Sequence, residues 1–376
     1  MATTIFSEMS ALAAEYDAIN LGQGFPDTPG PQEVVDAAVA AMRRGLNQYP
    51  PAIGVPALRE AICAHQRRFY GIELDPASQV VVCAGASEAL SSALMALVAP
   101  GDEVIALEPF YDLYAATGAL VGASLVPVRI SAPDYRLDPD LLRAAVTGKT
   151  KVILLNSPHN PTGAVLSRAE LEDVAAVARE HDLLVITDEV YEHLLFDDGD
   201  GTAHIPISSL PGMAERTVTV SSAGKTFSVT GWKIGWATGP AELIERVLNV
   251  KQWFSFASGT PLQHAVVVGL GLPDERFALL GRELARKRDI LTEGLRELGM
   301  EVYHSKATYF VTADIAPLGE TDSLEFCRAL PARVGVAAVP NQVFHASPEG
   351  VETQVRFACC KRDEVLADAL LRLRKL

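Results

Sequence analysis

The sequence predicts an α/β protein: a large domain with a mostly parallel, doubly wound central sheet flanked by helices, and a smaller α+β domain. Three observations carry this. Short apolar strand-like runs alternate with amphipathic helical ones through the middle of the chain, the pattern of a sheet wound with helices. After about residue 270 the character changes, and a long basic helix precedes several short strands. The length of 376 residues suits about two domains, each able to build its own core.

Taken in order, QVVVC (79–83) leads into the helical SEALSSALMALV (87–98), and DEVIAL (102–107) into a second helical stretch. KVILLN (151–156) passes through a turn into the helical RAELEDVAAVAREH (168–181), and LLVITDEV (183–190) and RTVTVSS (216–222) are further buried-type strands. The helix RELARKRDILTEGLREL (282–298) is followed by strands near 301–312, 336–339 and 353–357 and by a terminal helix. Residues 46–279 are therefore expected to form the large domain. The segment 1–45 has too few strands to fold alone and is expected to join 280–376 in the small one.

The net charge of −15 argues against nucleic acid and anionic membranes as partners. No apolar run approaches the roughly 18–20 residues of a membrane helix. The N-terminal MATTIFSEMSALAAEYDAINLGQGFPD carries acids and lacks the basic start and apolar core of a signal peptide. Cys63, Cys83, Cys327, Cys359 and Cys360 make an odd set without a CxxC pair. That suits reduced thiols in a cytoplasm better than a disulfide frame or a zinc site, although vicinal Cys359 and Cys360 leave a redox pair as an alternative.

The chemistry concentrates in SSAGKTFSVTGWKIGW (221–236), where Lys225 and Lys233 stand among small residues. Ser222 and Lys225 match an S-x-x-K pair, but the S-D-N and K-T-G that accompany it in serine acyltransferases are absent. A P-loop reading fails because Thr219 stands where that motif needs glycine. A lysine crowded by small residues after a buried strand is desolvated, which favours its neutral, nucleophilic form. Such an amine condenses with carbonyl cofactors; a solvated loop lysine is the plain alternative.

A pyridoxal phosphate site would ask the chain for further parts. A carboxylate must hold the ring nitrogen protonated so that the ring draws electrons, and Asp188 ends an apolar strand at the sheet edge where ligands bind. Tyr191 and Asn160 fall at the same edge as partners for the ring oxygen. Gly85-Ala86-Ser87 joins strand to helix, so backbone N–H groups can meet a phosphate, with Ser222 and Lys233 adding a hydroxyl and a charge. Tyr111 in EPFYDLY offers a face for the ring. Arg356, inside TQVRFACC, offers a bidentate fork for a carboxylate. Each residue has an ordinary reading too: an N-cap for Asp188, turn chemistry for Asn160, core packing for Tyr111, and an outward edge-strand position for Arg356.

Together these residues resemble the class I/II aminotransferases, the pyridoxal phosphate enzymes of fold type I. The resemblance runs from INLGQGFPD through NQYPP, AGASEAL, EPFYDLY, NSPHNPTG, ITDEVYEHL and SSAGKTFSVTGWKIGWATGP to VRFACCKRDE. Within the family it is similar to the kynurenine, glutamine and methionine branch and equally to the N-succinyldiaminopimelate aminotransferases. The resemblance implies that Lys225 bonds the cofactor's aldehyde and later moves the substrate's α-proton, and that Asp188 partners the ring nitrogen. Asn160 and Tyr191 would bind the ring oxygen, Tyr111 would stack on the ring, and Ala86, Ser87, Ser222 and Lys233 would hold the phosphate. Arg356 would clamp the α-carboxylate, assisted by Asn160 and the Gly24 backbone. Tyr49, in NQYPP, matches a tyrosine that reaches the phosphate of the neighbouring subunit, which implies a homodimer with shared sites. Some kynurenine-type members have Gly-Gly-Tyr where Ala86-Ser87 stands, so this chain lacks one aromatic on the substrate side.

The function so implied is ping-pong transfer of an amino group from an amino acid to a 2-oxo acid. A β-lyase acting on cysteine conjugates is the same-fold alternative. A regulator with a degenerate aminotransferase-like domain is the other, but it would need an added DNA-binding domain before INLGQGFPD. Trp253, Phe254 and Phe256 fit a side-chain pocket or equally a subunit interface. His193, Lys251 and Arg136 are candidates for a second cation toward a dicarboxylate.

Overall fold

The computed structural model describes residues 4–376. Its thirteen strands are β1 (Ile19–Asn20), β2 (Val80–Ala84), β3 (Glu103–Glu108), β4 (Ser124–Arg129), β5 (Thr150–Asn156), β6 (Leu184–Asp188), β7 (Thr217–Ser222), β8 (Ile234–Thr238), β9 (Glu301–Val302), β10 (Phe310–Asp314), β11 (Val336–Ala337), β12 (Val339–Pro340) and β13 (Gln354–Ala358). Seven of them form one sheet in the order β2-β8-β7-β6-β5-β3-β4. Only β8 runs against its neighbours, pairing antiparallel with both β2 and β7.

Strands β2, β3, β5 and β6 are buried on both faces, which is why they read as nearly unbroken apolar runs. Side chains alternate across a strand, and β5 shows the consequence. Val152 and Leu154 join a core with Leu90, Leu94, Val220 and Val247, whereas Ile153 and Leu155 join one with Val174, Val177 and Leu210. The helix Arg168–Glu180 starts at a capping box in which Ser167 and Glu170 each satisfy the other's backbone N–H.

Two strands of this sheet lie outside those expected from the sequence. β4 is the edge of the sheet, where Pro127 removes no needed ladder donor. β8 falls in the glycine- and lysine-rich stretch that reads as a loop.

A second sheet, β12-β13-β10-β9, is antiparallel. It packs with the helices Asp274–Glu297 and Asp363–Leu373 around Phe310, Val311, Leu291, Leu295, Leu366 and Leu373. The N-terminal segment divides its contacts. Met9 and Leu21 enter this core, and β1 pairs with β11, whereas Val34 and Ala38 of the helix Gln32–Arg43 pack against Ala265. Among the described residues, no helix is long and apolar enough to cross a membrane. All five cysteines are free and buried.

Candidate active site

The carboxyl ends of β5, β6 and β7 open into a cleft of about 1040 Å³, where ligands bind in open α/β sheets. Because β8 is antiparallel, its first residues lie at that same edge, and this brings Lys233 to the cleft. Gly24, Ala86, Ser87, Tyr111, Asn160, Asp188, Tyr191, Ser222, Lys225, Lys233 and Arg356 all line it. These are all the site residues expected from the sequence except Tyr49. Tyr49 stands outside, 82% exposed, with its ring edge-on to Phe256 at 5.7 Å.

Lys225 sits in the short helix Ala223–Thr226 directly after β7. Its amine donates to the Tyr309 hydroxyl at 2.8 Å and the Gly24 carbonyl at 3.3 Å, and lies 5.5 Å from the ring centres of Tyr191 and Tyr309. Burial is the main cause that brings its pKa down to about 8; Arg356 and Lys233 add to the fall, while Cys360 and Asp188 oppose it. Half-buried, helical and hydrogen-bonded to Tyr309 and Gly24, Lys225 is not the solvated loop lysine of the alternative reading.

Asp188 ends β6 and is buried. Burial raises its carboxyl to about 6 against the lowering pull of the Tyr114 hydroxyl, which donates at 2.8 Å, and of the Val190 N–H. Beside it, Asn156 fixes the turn that follows β5. Its amide donates to the carbonyls of Asp188 (2.8 Å) and Pro158 (3.1 Å), and its oxygen accepts the Asn160 N–H at 2.7 Å.

β2 runs straight into the helix Gly85–Leu97, with Gly85 at φ +77°. A left-handed residue lets strand and helix meet without a loop, and the first N–H groups of the helix lack intrahelical acceptors. Gly235 of β8 packs against this corner so closely that a Cβ there would lie 2.6 Å from the Ala86 nitrogen and the Gly85 carbonyl carbon. Lys233, itself at φ +54°, brings its amine to 3.5 Å from the Ser87 hydroxyl. Non-glycine residues in this region store strain, which gathers at functional sites.

Arg356 lies on β13, an inner strand of the second sheet, opposite Thr312, and is 1% exposed. The edge-strand reading is therefore excluded. Its guanidinium donates to Asn160 (2.8 Å) and to the Gly22 carbonyl (2.9 Å), while its Nε makes no hydrogen bond among the described residues. Phe310, Phe344 and Phe6 surround it at 4.0, 5.1 and 5.3 Å. Burial lowers its pKa to about 10, so it remains a cation near neutrality. A buried fork with an unused donor is a receptor for a carboxylate.

The three other cations considered from the sequence stand elsewhere. His193 is in a buried cluster 2.7 Å from His65, Lys251 donates to the carbonyls of Ala52 and Phe256, and Arg136 pairs with Glu170. The cation at the cleft's outer wall is instead Arg328, paired with Glu8 at 2.7 Å. Trp253, Phe254 and Phe256 are exposed and outside the cleft. Sequence reasoning also missed Tyr114, Asn156 and Tyr309. Tyr114 had a signal, since it stands three residues after Tyr111 in the first turn of the helix that Tyr111 precedes. Tyr309 had none, because its partner Lys225 lies 84 residues away.

A mostly parallel sheet bearing a desolvated lysine and a buried carboxylate at its carboxyl edge is the frame of a fold type I enzyme. The chain belongs to the family of class I and II aminotransferases, whose model matches residues 16–373, and it is a transaminase. It is 50% identical to the N-succinyldiaminopimelate aminotransferase of Mycobacterium tuberculosis, whose solved structure matches 99% of this chain and 97% of its own with a TM-score of 0.97. It is also 39% identical to the methionine aminotransferase of Escherichia coli, over 100% of this chain and 96% of the relative. With the human kynurenine–oxoglutarate transaminase 1 it shares 37% identity over 96% and 93%.

Proposed function

We propose that the cleft holds pyridoxal 5′-phosphate and that the enzyme moves an amino group from an amino acid to a 2-oxo acid in two successive half-reactions. When bound, that cofactor supplies an aldehyde for the amino group and a ring that draws off the electrons left on the substrate's α-carbon. The observation that carries the reading is Lys225: a half-buried lysine hydrogen-bonded to Tyr309 and Gly24, its pKa lowered to about 8, in one cleft with a buried carboxylate and a guanidinium that has a donor to spare.

The residues divide the work as follows. Asp188, oriented by Tyr114, pairs with the ring nitrogen, while Asn160 and Tyr191 donate to the ring oxygen and Tyr111 covers one face. The N–H groups of Ala86 and Ser87, the hydroxyls of Ser87 and Ser222, and Lys233 hold the phosphate. The corner at Gly85 and Gly235 fits a dianion because backbone donors converge there and no Cβ fills it. Arg356, with Asn160 and the Gly24 backbone, fixes the α-carboxylate, so that the bond to be broken is presented to Lys225. Lys225 takes the proton from the substrate's Cα and later returns one, a task suited to a base whose pKa lies near the working pH.

Two units, 46–279 and 280–376 with the N-terminal segment, close the cleft between them in this reading, with the helix Gln32–Arg43 bridging to the larger. A homodimer would bring Tyr49 to the partner's phosphate, and the free, buried cysteines favour a reducing cytoplasm. Donors of the methionine, glutamine, aromatic or kynurenine type compete with N-succinyl-LL-diaminopimelate, with 2-oxoglutarate as acceptor. Apolar walls from Phe6, Leu113 and Val343 leading to the charged pair Arg328–Glu8 favour a long side chain with a charged end, and so the last of these.

The test follows the cofactor's visible band in single half-reactions with methionine, glutamine, kynurenine, phenylalanine, glutamate and N-succinyldiaminopimelate. The succinylated donor is expected to bleach the band fastest. Lys225→Ala should keep its fold by circular dichroism and lose turnover at least 1,000-fold, on the order expected for removing a general base and nucleophile together. Near-normal turnover in that variant would sink the assignment.

A further inference from the structure

We propose that Tyr309 is a positioning residue for transamination: its hydroxyl oxygen is the berth of the Lys225 amine whenever that amine is free, and its lone pair raises the amine's affinity for a proton there. The inference rests on the reading of Lys225 given above and adds a residue that reading does not use.

The geometry is specific. Tyr309 is 1% exposed, and its hydroxyl hydrogen goes to the Gly24 carbonyl. A phenol has one hydrogen to give and lone pairs to accept with. With its hydrogen spent on Gly24, the oxygen facing Lys225 at 2.8 Å can only accept. It therefore stabilises the ammonium, which has hydrogens to donate, more than the neutral amine. The Gly24 carbonyl, 3.3 Å from the same nitrogen, acts in the same direction, and so do the faces of Tyr191 and Tyr309.

The backbone is bent to achieve this. Thr308 is β-branched and fully buried, yet adopts φ +72°. That conformation is an outlier for such a residue, held by its N–H on the Leu194 carbonyl and its hydroxyl on the Phe310 N–H. The next residue is Tyr309, whose carbonyl accepts the Cys359 N–H. Strain held in place by surrounding bonds, one residue from the contact to the reacting amine, marks a position set for function.

The other titratable groups whose charge acts on the amine are Cys360, Asp188, Arg356 and Lys233. Burial of the thiol pushes Cys360 up to about 11, so it is neutral near pH 7, and the tyrosines Tyr191 and Tyr309 are also raised by burial. The charged groups near neutrality are therefore Asp188, which favours the ammonium, and Arg356 and Lys233, which oppose it. Tyr309 supplies the contact that distinguishes the two protonation states without itself titrating. During turnover it would receive the amine as substrate displaces it and keep it within reach of the α-carbon.

The experiment measures Lys225 protonation in the full chain stripped of cofactor, by the pH dependence of its reductive methylation, read by mass spectrometry. Tyr309→Phe removes the acceptor and keeps the ring. The labelling midpoint should fall by about one pH unit, the size expected for one lost hydrogen bond to a charged group. The acid limb of the single-half-reaction rate should move the same way. Replacement of Tyr309 by 3-fluorotyrosine, which keeps both hydrogen bonds but weakens the oxygen as an acceptor, should give a smaller fall and covers the case in which Tyr309→Phe does not fold. An unmoved midpoint in a folded variant that still takes up the chromophore overturns the role of Tyr309 while leaving the cofactor reading intact. A wild-type chain that takes up no chromophore overturns that reading instead, and with it the inference.

Discussion

Asp188 and Lys225 illustrate how single residues carry cost in this chain. Burial pushes each toward its neutral form, the carboxyl up to about 6 and the amine down to about 8. For Asp188 the sign can be worked through. The folded carboxyl holds its proton to a higher pH than the unfolded one, so between 3.8 and about 6 the folded chain binds more protons. Stability is therefore lost as pH rises through that window, roughly 3 kcal/mol by the time both states are ionised. Asp188→Asn removes the charge and keeps a partner for the Tyr114 hydroxyl. Without cofactor, the variant should gain about 1–3 kcal/mol over the parent at pH 8 in urea unfolding, and about half as much at pH 5. It should also lose transamination, because an amide cannot hold the ring nitrogen protonated. Equal gains at both pH values would show that burial of the charge is not the cause.

At the scale of elements, the site depends on β8 more than on any feature visible in the sequence. The strands β2, β3, β5 and β6 were legible because burial on both faces demands nearly unbroken apolar runs, and β7 because its Thr and Val are β-branched. Asp188 and Arg356 were legible because a charge at the end of, or inside, such a run needs a partner. β8 was hidden: Gly235 and the neighbouring Lys233 read as loop chemistry, and only pairing with β7 on one side and with β2, remote in the chain, on the other makes IGWAT a strand. Tyr309 was hidden for the same reason, since its meaning lies in a contact with a residue 84 positions away and not in any local pattern. The small residue at position 235 is required by the approach of β8 to the Gly85 corner. In Gly235→Ala the new methyl would meet the backbone of Gly85 and Ala86, with no flexible side chain to yield. Overpacking of this kind costs about 1–3 kcal/mol, and here it would part the helix N-terminus from Lys233. Titration of the apo chain followed by the visible band should show cofactor affinity at least tenfold weaker, roughly the effect of 1.4 kcal/mol. Unchanged affinity would mean that this corner does not cradle the phosphate.

At the scale of the whole molecule, one surface remains to be explained. Tyr49, Trp253, Phe254 and Phe256 are 82%, 83%, 60% and 46% exposed, and large aromatics gathered in this way mark interaction sites. Tyr49 is also the one expected cofactor contact that its own cleft does not include. The proposed homodimer accounts for both facts, because a two-fold axis places each Tyr49 at the other chain's site. The arrangement has a consequence that no monomeric enzyme shares. Lys225→Ala and Tyr49→Ala would each impair both sites of their own homodimers. In a hybrid dimer, the site that takes its lysine from the Tyr49→Ala chain takes its tyrosine from the Lys225→Ala chain, and is intact; the other site lacks both. Equimolar mixing with full subunit exchange yields hybrids as about half of all dimers, so activity should climb to about a quarter of the parental value. The rise should follow the time course of exchange, which native mass spectrometry of tagged chains can monitor. Activity that stays at the average of the two variants, with hybrids demonstrably formed, would assign each site to a single chain and leave the exposed aromatics to some other partner.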